Sequence, residues 1–232
     1  MYKQIISLLE TVGKLCIQRP MNRVRLISIL LDLSDHHILL IRMAALDQVV
    51  SVFSMLKQSR TINSIVSQYV TKYLSFLVFE SPPEELSEFS QVWPEDLIER
   101  CLALALAILP QSASVLRDLA TIFCSARSDV VRRTIMRAVD APVRQLDQSN
   151  SALLDLVRNC PTNCESFITR VLHTLTDKKG VEPQLIDAIR DLMKGERRDI
   201  RFVIPVLGAL SKAYVYRNSV WLGRIFVKIA FF

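Results

Sequence analysis

Cys160 and Cys164 form a C-x3-C pair around Pro161. Thiolates at short spacing hold zinc when two further ligands complete a tetrahedron. His173 is near in sequence, but no fourth ligand follows at a motif spacing, so the pair reads as structural. His36 and His37 are adjacent ahead of an apolar segment. Neighbouring positions on a helix point in different directions, so they make a poor ligand pair and read as a solvated helix start. His173, inside FITRVLHTL, has the spacing of a half-buried packing residue. No phosphate loop, nucleophile elbow, HExxH or dinucleotide fingerprint occurs, and the 5 glycines are isolated, so they build no backbone cradle for phosphate. None of the 3 histidines has a Ser or Cys partner in a motif, which leaves nucleophilic catalysis little to work with. The expectation is a non-enzyme without cofactor, metal or small-molecule ligand.

Arginine is the other chemistry-bearing type. Arg127, Arg132, Arg133, Arg137 and Arg144 lie on and around one segment, and Lys194, Arg197, Arg198 and Arg201 form a second group. Clustered guanidinium groups can form salt bridges between helices on solvated faces, grip an acidic protein surface, or neutralise phosphates. Aromatics that would stack bases are not interleaved with them, which counts against RNA. Arg132, Arg133, Arg137, Arg197, Arg198 and Arg201 are the candidate partner-binding residues.

These residues sit on a helical pattern. Val115, Leu116, Leu119, Ile122 and Phe123 recur at helical spacing. So do Phe167, Ile168, Val171, Leu172 and Leu175, and then Leu185, Ile189, Leu192 and Met193. No long alternating pattern competes. Residues 97–109 are apolar on nearly every side, so that helix should be central and covered. Prolines 20, 82, 83, 94, 110, 161 and 183 punctuate the pattern, and Ser112, Ser149 and Thr162 stand where caps are wanted. Some ten or eleven short helices with short connections are expected, save for residues 81–94, where Glu84, Glu85 and Glu88 make an acidic connection and the best candidate for a seam.

An Asp precedes a Val/Ile-Arg pair three times, at Asp35 with Ile41-Arg42, at Asp129 with Val131-Arg132, and at Asp199 with Ile200-Arg201. HEAT-type repeats start their second helix this way, with the Asp capping and the Arg bridging onward. Asp is also simply common at helix starts. The fold class expected is all-α, an α-solenoid of HEAT/ARM-type antiparallel helix pairs in a right-handed stack. The divisions are helical repeats over 1–80, the acidic connection at 81–94, further helical repeats over 95–212, and an apolar tail over 213–232.

Composition agrees. Of 232 residues 50% are hydrophobic, enough for a core, and the formal charge of +6 permits nucleic-acid contact without demanding it. Five scattered cysteines do not make a disulfide framework and are expected as reduced thiols in an intracellular protein. Glu10 and Lys14 interrupt the apolar opening, which does not read as a secretory signal. In the tail, Arg217, Arg224 and Lys228 break the run a membrane span needs, and Trp221, Leu222, Ile225 and Ile229 share a helical face suited to capping the end of a stack.

The wording of three segments goes further. NCP (159–161), TRVLHTLTDK (169–178) and DIRFVIPVL (199–207) resemble the C-terminal half of the symplekin family, with looser likeness at 16–34 and 101–123. The likeness stops at residue 213, so the chain resembles a fragment or variant of that family with a divergent tail. The resemblance implies a non-catalytic scaffold for cleavage and polyadenylation of pre-mRNA. Its implied partners are the endonuclease subunit of the cleavage and polyadenylation specificity factor, that subunit's inactive paralogue, and the cleavage stimulation factor. It implies RNA contact through those partners, no membrane, and residence in the nucleus with a cytoplasmic pool allowed. The alternative from the fold alone is an α-solenoid adaptor or transport-type binding module unrelated to RNA processing.

Overall fold

A computed structural model describes residues 2–84, 86, 91–177, 180–194 and 199–210. Among them there is no strand, and the elements are α-helices and 3-10 turns. Contacts divide the chain into two compact units, Met1–Pro142 and Val143–Phe232.

The first unit carries α1 (Tyr2–Gln18), α2 (Arg23–Leu33), α3 (Leu39–Met55), α4 (Arg60–Phe76), α5 (Glu95–Ile108), α6 (Val115–Ser125) and α7 (Asp129–Ala138). A one-turn α8 (Asp140–Val143) follows. Each helix packs on its successors at one or two places along the chain. α1 meets α2 and α3, α2 meets α3 and α4, and α3 meets α5. α4 meets α5 and α6, and α5 meets α6 and α7. Gly13 marks a close approach of α1 to α3, since a Cβ there would lie 2.3 Å from Oε1 of Gln48.

α5 is the central helix expected from its apolar sequence. Pro94 stands before it in extended backbone, and Glu95 and Asp96 place negative charge in its first turn, where the helix dipole favours it. Leu97, Ile98, Cys101, Leu102, Leu104, Ala105 and Ile108 are all buried. Leu119 of α6 is buried too. Leu104, in the segment expected to be central, and Leu119, in the first apolar stripe, are therefore both core residues.

The acidic connection lies inside the first unit, and the division falls later, after Pro142. Its ends are tied by Trp93, which is 3% exposed and donates from Nε1 to the Phe79 carbonyl at 3.1 Å. Glu85 and Glu88 lie outside the described residues, as do Arg197, Arg198 and the whole tail 213–232.

The second unit contains α9 (Ser151–Arg158), α10 (Glu165–Thr176) and α11 (Pro183–Lys194). α9 packs on α11, while α10 packs on two 3-10 turns, Ile200–Phe202 and Ile204–Ala209. DIRFVIPVL is thus not an α-helix. Its apolar residues Phe202, Val203 and Val206 are nevertheless buried. Phe167, Ile168, Val171, Leu172 and Leu175 all face inward from α10, as the periodicity requires.

Gln148 holds this unit's loops. It is 2% exposed, donates from Nε2 to the carbonyls of Leu175 and Gly180 (3.1 Å each), and accepts from the Glu182 N–H at 2.9 Å. One side chain thereby fixes the connection between α10 and α11, and every polar atom it buries is paired.

Several local expectations are corrected. Among the described residues, side-chain caps are made by Ser59, on the N–H of Ile62, and by Asn150, on the N–H of Ala152. Ser112 instead bonds the hydroxyl of Ser114, two residues nearer the helix. Ser149 and Thr162 precede the true cap positions, Asn150 and Cys164. Between them Asn163 takes a left-handed φ of 65°, which Asn tolerates better than most residues. His173 is exposed, and its neighbour Thr174 takes the buried position. Cys16, Cys101 and Cys160 are buried thiols outside any disulfide, as expected. Cys124 and Cys164 depart from the expectation of reduced thiols, being disulfide-bonded. The count and scatter of cysteines in a sequence do not decide the state of any single one.

Candidate functional site

The most organised polar feature of the first unit lies where α2 turns into α3 against the start of α5. Arg42, in the first turn and a half of α3, is buried, and its Nη1 donates to the His36 carbonyl at 2.9 Å. Its Nη2 lies 3.7 Å from the Asp96 carboxylate on α5. Arg100 of α5 answers in the other direction, donating from Nε to both the carbonyl of Asp35 (3.1 Å) and its carboxylate (3.2 Å). Two arginines on two helices thus clasp one turn. Beneath them Cys101 is pushed up to about 12, chiefly by burial and further by Asp35, with Arg100 opposing. A thiol so placed stays protonated and inert.

Two of the three Asp-to-Arg echoes have a structural counterpart. Arg132 occupies the same position in α7 that Arg42 occupies in α3, and donates from Nε to the Ala126 carbonyl at 2.9 Å. The third differs. Asp199 accepts from the Arg201 N–H at 2.9 Å, at the start of a 3-10 turn, and its carboxylate also takes the Arg201 guanidinium. Asp199 is held below the usual carboxylate range, first by that side-chain bond.

The candidate partner-binding residues therefore fall in different places. Arg132 is committed to its own turn. Arg137 pairs with Glu95 of α5, both well exposed. Arg133 is exposed, and its Nε donates to the carbonyl of Asp129 at a long 3.3 Å. Arg201 is clasped by Asp199, in the other unit. Arg197 and Arg198 are outside the described residues.

A groove of about 370 Å³ opens between α3, α4, α6 and the loop after α5, lined among others by Phe53, Asn63, Val66, Gln111, Ser112 and Asp118. Asn63 turns its amide N–H to the Lys57 carbonyl (2.9 Å), and Gln111 turns its own to the Val50 carbonyl (3.4 Å). Their carbonyl oxygens are left buried without a donor. Asp118 is raised by burial, with Arg117 opposing. Lys57 lines the groove as well, so a basic and an acidic side chain both face it.

Apolar surface is more distinctive. α3 buries Ile41, Ala45, Val49, Val52 and Phe53, yet Leu39, Leu40 and Met43 on the same helix are 56%, 55% and 52% exposed. Leu8 on α1 is exposed as well. An apolar side chain in contact with water is unremarkable alone, but a group of them on one helix marks a surface suited to protein contact.

Among the described residues no cluster of His, Cys, Asp and Glu is arranged to hold a metal, and no helix is long and apolar enough to cross a membrane. No family model matches the chain, and no solved structure matches it.

Proposed function

We propose that this chain is a non-catalytic helical scaffold that binds protein partners, built as a stack of HEAT/ARM-like helix pairs. The observation that carries the reading is the packing order of α1 to α7, in which each helix rests on its next or next-but-one neighbour. Such a chain extends by addition and offers helix faces rather than a single cleft. The braces of Arg42 and Arg132 recur as repeated units would have them. The outward leucines of α3 supply a surface that gains free energy when covered by protein.

The place of action we propose is pre-mRNA 3′-end processing in the nucleus, with the endonuclease subunit, its inactive paralogue and the cleavage stimulation factor as partners. This rests on the likeness of Thr169 to Lys178 and of Asp199 to Leu207 to the symplekin family. Affinity purification of the tagged chain from nuclear extract, followed by mass spectrometry, tests it. Recovery of those subunits in stoichiometric amounts is the expected result. Their absence, with recovery of transport or trafficking proteins instead, assigns the chain to another class of helical adaptor.

A further inference from the structure

We propose that His36 is a proton-operated latch on the start of α3. Its Nδ1 accepts the backbone N–H of Ile38 at 3.0 Å. A backbone N–H can only donate, so Nδ1 carries a lone pair here and the neutral ring keeps its proton on Nε2. Ile38 is the N-cap residue of α3, and its own carbonyl accepts from the N–H groups of Ile41 and Arg42 at 3.1 and 3.0 Å. The imidazole therefore fixes the residue that starts the helix. The same histidine acts a second time through its backbone, where its carbonyl holds the Arg42 guanidinium. Ring and carbonyl together hold the first turn of α3 at two points.

A proton on Nδ1 removes the acceptor and leaves two N–H groups facing each other. The charges around the ring make the outcome worse. His37 stacks on His36 with centroids 4.3 Å apart. Arg42 approaches from α3 and Arg100 from α5. Asp35 and Asp96 are already engaged by Arg100 and Arg42. Asp32, at the end of α2, accepts from the Tyr69 hydroxyl of α4 at 2.7 Å. Burial, then His37, Arg100 and Arg42 outweigh the upward contribution of the Ile38 backbone contact and hold His36 below the ordinary histidine range. The N-terminal end of α3 also opposes a cation.

The sign follows from that depression. A histidine whose folded-state pKa lies below its unfolded value stabilises the closed turn fully at neutral pH. That contribution fades as pH falls through the ordinary value near about 6.5 and towards the folded one. Between those two values the open population of the turn grows by at most about tenfold per pH unit. What opens is the segment carrying the exposed Leu39, Leu40 and Met43, so acid changes the presentation of the apolar surface of α3.

Amide hydrogen exchange on the full chain, corrected for the intrinsic pH dependence of exchange, reads the latch directly. From pH 7.5 to 5, opening at residues 38–43 should increase several-fold more than at the buried amides of α5. His36→Asn should remove that pH dependence, because an Asn side chain can accept the N–H two residues on and does not titrate. The same pH dependence in His36→Asn overturns the proposal. Should that variant fail to fold, nitrogen NMR of the wild-type ring decides instead. A neutral Nε2–H tautomer that titrates below the ordinary histidine value supports the latch, and a ring protonated on Nδ1 at neutral pH overturns it.

Discussion

Arg42 and Arg132 make the same bond at the start of two different helices. Each lies in the fourth position of its helix and donates to the carbonyl six residues back, His36 in one case and Ala126 in the other, at 2.9 Å. Arg23, in the first position of α2, reaches the Ile17 carbonyl six residues back at 3.1 Å. A carbonyl in the turn before a helix has no helical partner, and the long guanidinium supplies one without disturbing the backbone. Only Arg42 of the three is nearly fully buried, and only it continues to a carboxylate on a later helix.

That burial sets an asymmetric expectation. Arg42→Ala leaves the His36 carbonyl without its donor and removes the packing of the buried stem, and should cost about 2–4 kcal/mol in urea denaturation. Asp96→Ala should cost no more than about 1 kcal/mol, because Asp96 is largely in solvent and its pair with Arg42 is screened. Equal losses from the two would show that the ion pair, not the carbonyl brace, holds the turn.

Leu104→Ala and Leu119→Ala should each lower stability by about 2–5 kcal/mol, since both side chains are enclosed and neither site can collapse freely. α5 packs on four other helices, so the Leu104 cavity is expected to be the less relaxed of the two. Unchanged denaturation midpoints would contradict the burial of these faces.

Much of the helical core was legible because the period of 3.6 survives in the sequence. The stripe of α10, that of α6 except the half-buried Ile122, and most of the positions that give α5 its all-round apolar character translate directly into buried residues. The same character on α3 misleads, because Leu39, Leu40 and Met43 are as apolar as a core yet face out. Periodicity reports the face a helix could bury, not whether a neighbour is present to bury it. The cap positions slipped by one or two residues because Ser, Thr and Asn crowd these loops, and backbone geometry chooses among them. Gln148 gave no signal, since its three bonds reach residues 27 to 34 positions away. The braces of Arg42 and Arg132 were partly visible as an echo, although their acceptor, a carbonyl six residues back, was not. The tail lies outside the described residues, as do Arg197 and Arg198 of the second basic group.

Gln148 should prove intolerant of change. Gln148→Leu keeps the volume but strands the carbonyls of Leu175 and Gly180 and the N–H of Glu182. Each buried group left unpaired costs about 1–3 kcal/mol, although part of the loop can turn to water, so a loss of about 3 kcal/mol is expected. Gln148→Glu should be equally poor, because a carboxylate cannot donate to either carbonyl. Proteolysis mapping should show new cleavage between α10 and α11. A variant with wild-type stability and an intact connection would mean that other contacts hold the loop.

Arg133 is the residue of α7 that separates partner binding from folding. Arg132 is occupied by Ala126 and Asp129, and Arg137 pairs with Glu95 across to α5. Reversing all three to Glu therefore mixes two effects, and the variants have to be taken singly. Arg132→Glu should destabilise by about 1–2 kcal/mol, through the lost carbonyl bond and a new carboxylate facing Asp129. Arg137→Glu should cost less than about 1 kcal/mol, its partner being exposed. Arg133→Glu should leave the denaturation midpoint within about 0.5 kcal/mol of wild type. If this face grips an acidic partner, that same substitution should weaken the association several-fold, and the loss should shrink as salt is raised from 50 to 500 mM, on the order of the range over which surface charges become screened. Pull-down of the processing subunits with each variant at two salt concentrations makes the comparison. Unchanged recovery with Arg133→Glu at low salt would remove α7 from the interface and direct the search to the exposed leucines of α3.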